Sequence, residues 1–301
     1  MKKYEFTGET ISVSGVTLKR IRATKDFGDV KKGDLGGFIE KEGNLPHEGD
    51  AWVSGNAKVS WNALVCGNAQ VSGNAKISGN AQVYGSAQIS GDAEVYGSAQ
   101  VYGGAQVCDH ARVSGSAWVS GDAQISGNAR IYGDAQVRDH ARVSGSAWVY
   151  EHAELADNAH IFGDAWVCGN AKVYNNAQVF DGAQIAGDAQ VADTAKVYGE
   201  VHLYGLVRVY GNARISNNTN YITIGSIGSR FDTTTFFKNA NNKISVSCGC
   251  FLGSLEEFRK EVERTHGVNT RYAKVYQAAA DLAEIQILYK KGKEHEMQKD
   301  D

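Results

Sequence analysis

Proline is nearly missing from this chain of 301 residues, with Pro46 alone, and methionine occurs only twice. No apolar run approaches the roughly 18 residues of a membrane span, so no membrane partner is expected. The opening Met1-Lys2-Lys3-Tyr4-Glu5 lacks the apolar stretch of a secretory signal, and a cytoplasmic location is the expectation. Neither sign of charge dominates: 31 basic residues against 34 acidic ones leave a net charge of −3. That removes the electrostatic footprint of a nucleic-acid binder. The cysteines, Cys66, Cys108, Cys168, Cys248 and Cys250, are few and odd in number, which points to reduced thiols. Cys248-Gly249-Cys250 on a strand would place two thiols on one face, with His266 the one nearby further donor. That falls short of the roughly four ligands of a structural metal site, so no metal and no cofactor are expected.

Glycine, by contrast, is abundant at 35 residues, and it recurs on a strict period. From Ala51 to Asn218 the chain divides into 28 hexads without insertion or deletion, beginning AWVSGN, AKVSWN, ALVCGN. The first position is Ala in all but Val201 and Val207, and the third is always Val, Ile or Leu. The fifth is mostly Gly, otherwise usually Asp or Asn. A period of six suits neither a helix nor a plain alternating strand. It suits a short strand and a tight corner, three of which close one triangular coil of 18 residues. Val or Ile fills the interior, Ala fits beside the corner, and Gly, Asn or Asp tolerates positive φ there. Coils about 4.8 Å apart stack into a rod of roughly nine turns, stabilised between neighbours.

Bare coil ends expose strand edges and need covers. Residues 1–50 read as an N-terminal cap, with strands at Tyr4–Phe6 and Val16–Ile21 and an irregular first coil at 35–40. After residue 218 three strands are expected, Tyr221–Ile227, Thr233–Lys238 and Lys243–Cys250. A helix follows, opened by a Ser254/Glu257 capping box and ended by Gly267. A second helix runs from about Thr270 to Lys290, and a frayed charged tail completes a small α+β unit, 219–301.

The V-x-G-x-A-x repeat is similar to that of the hexapeptide-repeat superfamily, and this resemblance implies a left-handed parallel β-helix. Together with Val16–Ile21, Asp26-Phe27-Gly28-Asp29-Val30-Lys31, Gly36-Gly37-Phe38-Ile39 and Gly49-Asp50-Ala51-Trp52-Val53, it resembles the YdcK-like bacterial proteins, whose relatives are common in phages and prophages. The resemblance implies the fold class, an all-β solenoid with an N-terminal β cap and a C-terminal α+β unit. It also favours a homo-oligomer, a trimer above all. The transferase label some relatives carry rests on fold, and fold does not carry function.

An acyltransferase on this fold typically needs a histidine base, a coil-breaking loop to wall the acceptor pocket, and a groove between prisms. His110 and His140, each after an aspartate, are the candidate bases. The five histidines of the repeats never fall 18 residues apart, and no coil-breaking loop interrupts the hexads. Acyl transfer is therefore the alternative. The leading reading is a non-enzymatic, rod-like scaffold or binding protein of phage or prophage type, in one version a counter-defence protein. Its partner would be a host protein or a small nucleotide-like ligand. The ligand-binding candidates are Gly228, Ser229, Arg230, Asp232, Thr233, Thr234 and Thr235, where backbone N–H groups, a guanidinium and hydroxyls could meet an anion. The interface candidates are the residues 18 apart that should stack outward, Trp148 with Trp166, and Phe162 with Phe180 and Tyr198. A filament of rods stacked end to end is a third reading, opposed by the caps.

Overall fold

The computed structural model describes residues 2–288, so the expected charged tail and the last two residues of the second helix lie outside the described residues. From Trp52 to Ile215 the chain is a parallel β-solenoid. Each hexad gives a two-residue strand at its second and third positions, then a turn. Every strand up to Lys196–Val197 pairs in parallel with the strand 18 residues on, as Gln88–Ile89 does with Gln106–Val107. Three faces result. The first carries Trp52, Gln70 and Gln88; the second Lys58, Lys76 and Glu94; the third Leu64, Gln82 and Gln100.

The repeat dictates this packing. All 28 Val, Ile or Leu residues of the third position are at most 1% exposed, and the Ala of the first position is equally shut in. Burying one such branched side chain is worth about 1.5–3 kcal/mol. At the corners nearly every glycine of the fifth position has φ between +62° and +74°. A Cβ at Gly127 would stand 2.9 Å from the carbonyl oxygen of Gly145 in the next coil, so conformation and close stacking both favour glycine there. Where the corner residue is acidic instead, it repays the strain. Asp109 has φ +60°, and its carboxylate accepts a hydrogen bond at 2.9 Å from the N–H of Gly127, one coil on. Asp139, Glu151, Asp157, Asp181 and Asp193 accept in the same way.

Between coils, N–H groups of the second, fourth and sixth positions donate to carbonyls of the first, third and fifth positions of the next coil, as Trp52 to Ala69, Ser54 to Val71 and Asn56 to Gly73. The first coil therefore has carbonyls to satisfy, and the last has N–H groups. The N-terminal cap brings donors. Its antiparallel strands Tyr4–Val13 and Val16–Ala23 lead to Leu35–Ile39, which pairs in parallel with Lys58–Val59. The buried Lys3 ammonium donates to the carbonyls of Gly49 and Ala51 at 3.3 and 2.9 Å, and Asn44 Nδ2 to those of Trp61 and Ala63 at 3.0 and 2.8 Å.

The C-terminal unit brings acceptors. It has four antiparallel strands, Tyr221–Ile227, Asp232–Lys238, Ile244–Cys248 and Phe251–Ser254, one more than the sequence suggested, followed by α1 (Leu255–His266) and α2 (Arg271–Leu288). The Ser254/Glu257 capping box opens α1, and Gly267 closes it. Asn220 Oδ1 and Thr235 Oγ1 accept from the N–H groups of Ser216 and Arg208, and Asn218 Oδ1, at the end of the last hexad, accepts from that of His202. The strand Asp232–Lys238 shows its two faces to two cores. Phe237 plugs the end of the prism interior, while Phe236 packs with the helices.

Candidate functional site

The C-terminal unit holds a cleft of about 270 Å³. Its rim is the loop after the first cap strand, with Ser229, Arg230 and Asp232, and the hairpin turn Gly249–Cys250. Its floor is Phe251 and Phe258, and α1 and α2 contribute His266 and Tyr276. The loop closes tightly on α2: Gly228 has φ +72°, and a Cβ there would fall 1.9 Å from the Tyr276 hydroxyl oxygen. The Tyr276 ring is gripped by Phe258, edge-on at 5.7 Å, and by His266, stacked at 5.7 Å. Burial first, and then the neighbouring Cys248 thiol, pushes the Tyr276 phenol up to about 12. It stays a neutral hydroxyl at physiological pH.

Charge in this cleft is unevenly spent. Glu261 is held by Arg264 through two hydrogen bonds at 2.6 and 2.8 Å, which, before any other cause, lowers its carboxyl below the usual range. Asp232 accepts from the Thr233 N–H at 2.7 Å and faces Arg208 at 3.8 Å. Arg230 has no carboxylate within ion-pair distance among the described residues. The cleft thus presents one uncommitted guanidinium beside aromatic walls.

Of the ligand-binding candidates, Ser229, Arg230 and Asp232 line the cleft together. Gly228 shapes the loop. Thr233, Thr234 and Thr235 are buried in a strand and point alternately to opposite sides: Thr234 donates to Cys248 Sγ at 3.1 Å, and Thr235 accepts from Arg208 at the prism end. Those hydroxyls hold the fold and do not converge with Arg230. Cys248 ends a strand and Cys250 lies in the following turn, so the two thiols do not share a strand face as expected. The aromatic floor and the helix residues were not apparent from sequence, because only tertiary folding brings α1 and α2 against the loop.

The candidate bases are corner residues turned to water. His110 Nδ1 lies 3.4 Å from Asp92 and His140 Nδ1 lies 3.7 Å from Asp122, each aspartate one coil below, with the imidazoles about two-thirds exposed. The sequence neighbours Asp109 and Asp139 do not orient them, since their carboxylates accept from corner N–H groups. His152 repeats the arrangement with Asp134 at 3.5 Å, which marks it as a feature of the repeat. Among the described residues no three His, Cys, Asp or Glu side chains gather as a metal site would require, and no helix is long and apolar enough to cross a membrane.

The interface candidates stack. Trp148 and Trp166 lie 5.3 Å apart on the second face; Phe162, Phe180 and Tyr198 form a continuous pile on the first face, at 4.7 and 4.9 Å. The two piles therefore occupy adjacent faces at overlapping heights.

No curated protein matches the sequence. Among solved structures the chain is similar to the Arabidopsis UDP-N-acetylglucosamine acyltransferase, at 13% identity over 81% of this chain and 97% of that one, with a TM-score of 0.35. That superposition is too loose to carry a residue or an activity across. Residues 69–85, 87–103, 105–121, 123–139 and 135–151 match the repeat described as the YdcK beta solenoid, and over those five repeats the rod is YdcK-like.

Proposed function

We propose that this protein is a non-enzymatic binding protein in which the solenoid is a rigid spacer and the C-terminal cleft is the ligand end. The observation that carries this reading is Arg230, a guanidinium without an ion-pair partner among the described residues, which shares with Phe251 and Phe258 a cleft whose two carboxylates are engaged elsewhere. Such a site suits a small anionic ligand with a flat ring, a nucleotide-like signal. In one version of this reading the capture serves counter-defence, a version motivated by the resemblance of the very regular repeats to YdcK-like relatives common in phages and prophages. Native mass spectrometry on protein taken gently from the expressing cell is the test, followed by calorimetry with the ligand it identifies. A retained small mass lost in Arg230→Ala, with affinity falling about tenfold or more, is the expected result. A ligand-free protein in which Arg230→Ala alters nothing, including the outcome of infection, would sink the reading.

The same spectra test assembly. With aromatic piles on two adjacent faces, a heterologous contact of one face against the other is available, and such contacts form rings where the rotation closes; the family resemblance favours three subunits. A trimer broken by Trp166→Ser with Phe180→Ser supports that contact; a monomeric parent protein refutes it. Acyl transfer remains the rival, resting on the Asp92–His110 and Asp122–His140 pairs, and absence of acyl-CoA binding by calorimetry eliminates it.

A further inference from the structure

The outward fourth position of the second face reads, coil by coil, Tyr96, Ser114, Tyr132, Tyr150. Tyr132 and Tyr150, one coil apart, stack with ring centroids 4.9 Å apart and planes within 3°. Tyr84 and Tyr102 do the same on the third face, at 4.9 Å and 2°. At this position a tyrosine lays its ring on that of the next coil at the coil repeat. Tyr96 and Tyr132 are two coils apart, which separates them by about 9.6 Å. Ser114, between them, is too short to fill the space. One ring is missing from the ladder, and the gap has the width of one ring in contact with both neighbours.

The gap is an open cleft of about 230 Å³, lined by Tyr96, Ser114, Tyr132, Arg112, Arg130 and Trp148 among others. A matching gap on the third face shows what happens when nothing holds it open. There Tyr174 and Tyr210 flank Ala192, the Tyr210 hydroxyl donates to Gln190 Oε1, and Ala192 is left only 1% exposed. Over Ser114 this closure is opposed, because Tyr132 is held from the other side by the Tyr150 ring and by the edge contact with Trp148 at 6.2 Å. Tyr96 stays 40% exposed.

The rim is cationic. The adjoining outward column of this face reads Lys58, Lys76, Glu94, Arg112 and Arg130, four cations to one carboxylate, on a protein of net charge −3. Glu94 is shared by Lys76 at 2.9 Å and Arg112 at 3.2 Å. Arg130 lies over the Trp148 ring at 4.9 Å and has no carboxylate partner among the described residues. An aromatic slot with a guanidinium at its mouth selects a flat ring that carries negative charge.

We infer that the Ser114 cleft binds one planar ring bearing an anionic substituent, the ring lodged between Tyr96 and Tyr132 and the anion on Arg130 and Arg112. Tyr150 covers the far face of Tyr132, so the slot between Tyr96 and Tyr132 takes a single ring. It lies about five coils, roughly 25 Å, from the end of the rod that carries the C-terminal cleft, and is independent of it.

The test uses the full chain carrying Arg230→Ala, so that the C-terminal cleft does not contribute. The 5′-monophosphates of adenine, guanine, cytosine, uracil and thymine nucleosides, the parent nucleosides and inorganic phosphate are titrated by calorimetry. At least one monophosphate should bind, with its nucleoside and phosphate alone each about tenfold weaker or more. Adding Ser114→Tyr supplies the missing ring from the protein itself. It should abolish binding while the melting temperature holds or rises, which shows that the fold survives. Adding Arg130→Gln should weaken binding about tenfold. Absence of binding by all five monophosphates at millimolar concentration overturns the inference, as does binding that persists undiminished in the Ser114→Tyr variant.

Discussion

At the scale of single residues, two positions show how the rod meets requirements the repeat cannot meet by itself. Asp109 sits in the left-handed region, where a side chain is strained, yet it satisfies a corner N–H that glycine leaves unmet. Asp109→Ala keeps the strain and loses the acceptor, and should cost about 1–2 kcal/mol in equilibrium unfolding. Asp109→Gly loses the acceptor but relieves the strain, and should cost less. Equal losses would show that the carboxylate, and not the backbone, sets the cost. Lys3 is the second position. Its ammonium is fully buried against two carbonyls, and burial lowers its pKa from 10.5 to about 8. Between pH 8 and 10.5 the unfolded chain holds this proton more tightly than the folded one, so stability attributable to Lys3 rises with pH across that window, by about 3 kcal/mol at most. Unfolding midpoints of the parent and of Lys3→Met should diverge over that range; parallel curves would contradict the burial of the charge.

At the scale of elements, the hexads were legible because each position has one physical demand repeated 28 times: a branched residue inside, alanine beside the corner, positive φ at the turn. The period and the parallel stacking followed from Val53, Ala57 and Gly55 as readily as from their later copies. The α1 boundaries were equally readable, since Ser254, Glu257 and Gly267 act through local hydrogen bonds and backbone freedom. The short strand Phe251–Ser254 was hidden because Gly249 and Cys250 form its turn, while Cys248-Gly249-Cys250 reads as one continuing strand. The cleft was half legible. Ser229, Arg230 and Asp232 are contiguous, but Phe258, His266 and Tyr276 join them only through helix packing, and the three threonines turned out to serve the strand that bears them. Phe237 carries the element-scale prediction. It closes the prism interior, and in a solenoid each coil depends mainly on its neighbours. Phe237→Ala should raise hydrogen exchange in residues 201–218 and leave the coils of 105–140 unchanged. Uniform loss of protection along the rod would mean that the solenoid melts as one unit.

At the scale of the whole molecule, the polarity of the stacking decides what each end needs. The first coil needs donors and receives Lys3, Asn44 and the strand Leu35–Ile39; the last needs acceptors and receives Asn218, Asn220 and Thr235. An uncovered end would expose a ring of unmet strand-edge groups around an apolar interior, a template for further chains. Because both ends are covered, the protein should form small, defined particles in light scattering, and a filament reading requires the caps to be displaced. Truncation after Asn218 isolates the contribution of the C-terminal cap. It removes Asn220, Thr235 and the Phe237 plug together and bares the N–H row of the last coil, while the N-terminal donors stay in place. The truncated chain should retain its β-sheet circular dichroism, since the remaining coils still support one another, but grow in scattering mass with concentration. Retained β-structure with no growth would show that the bare edge is not adhesive, and that the C-terminal unit is carried by the rod for its cleft alone.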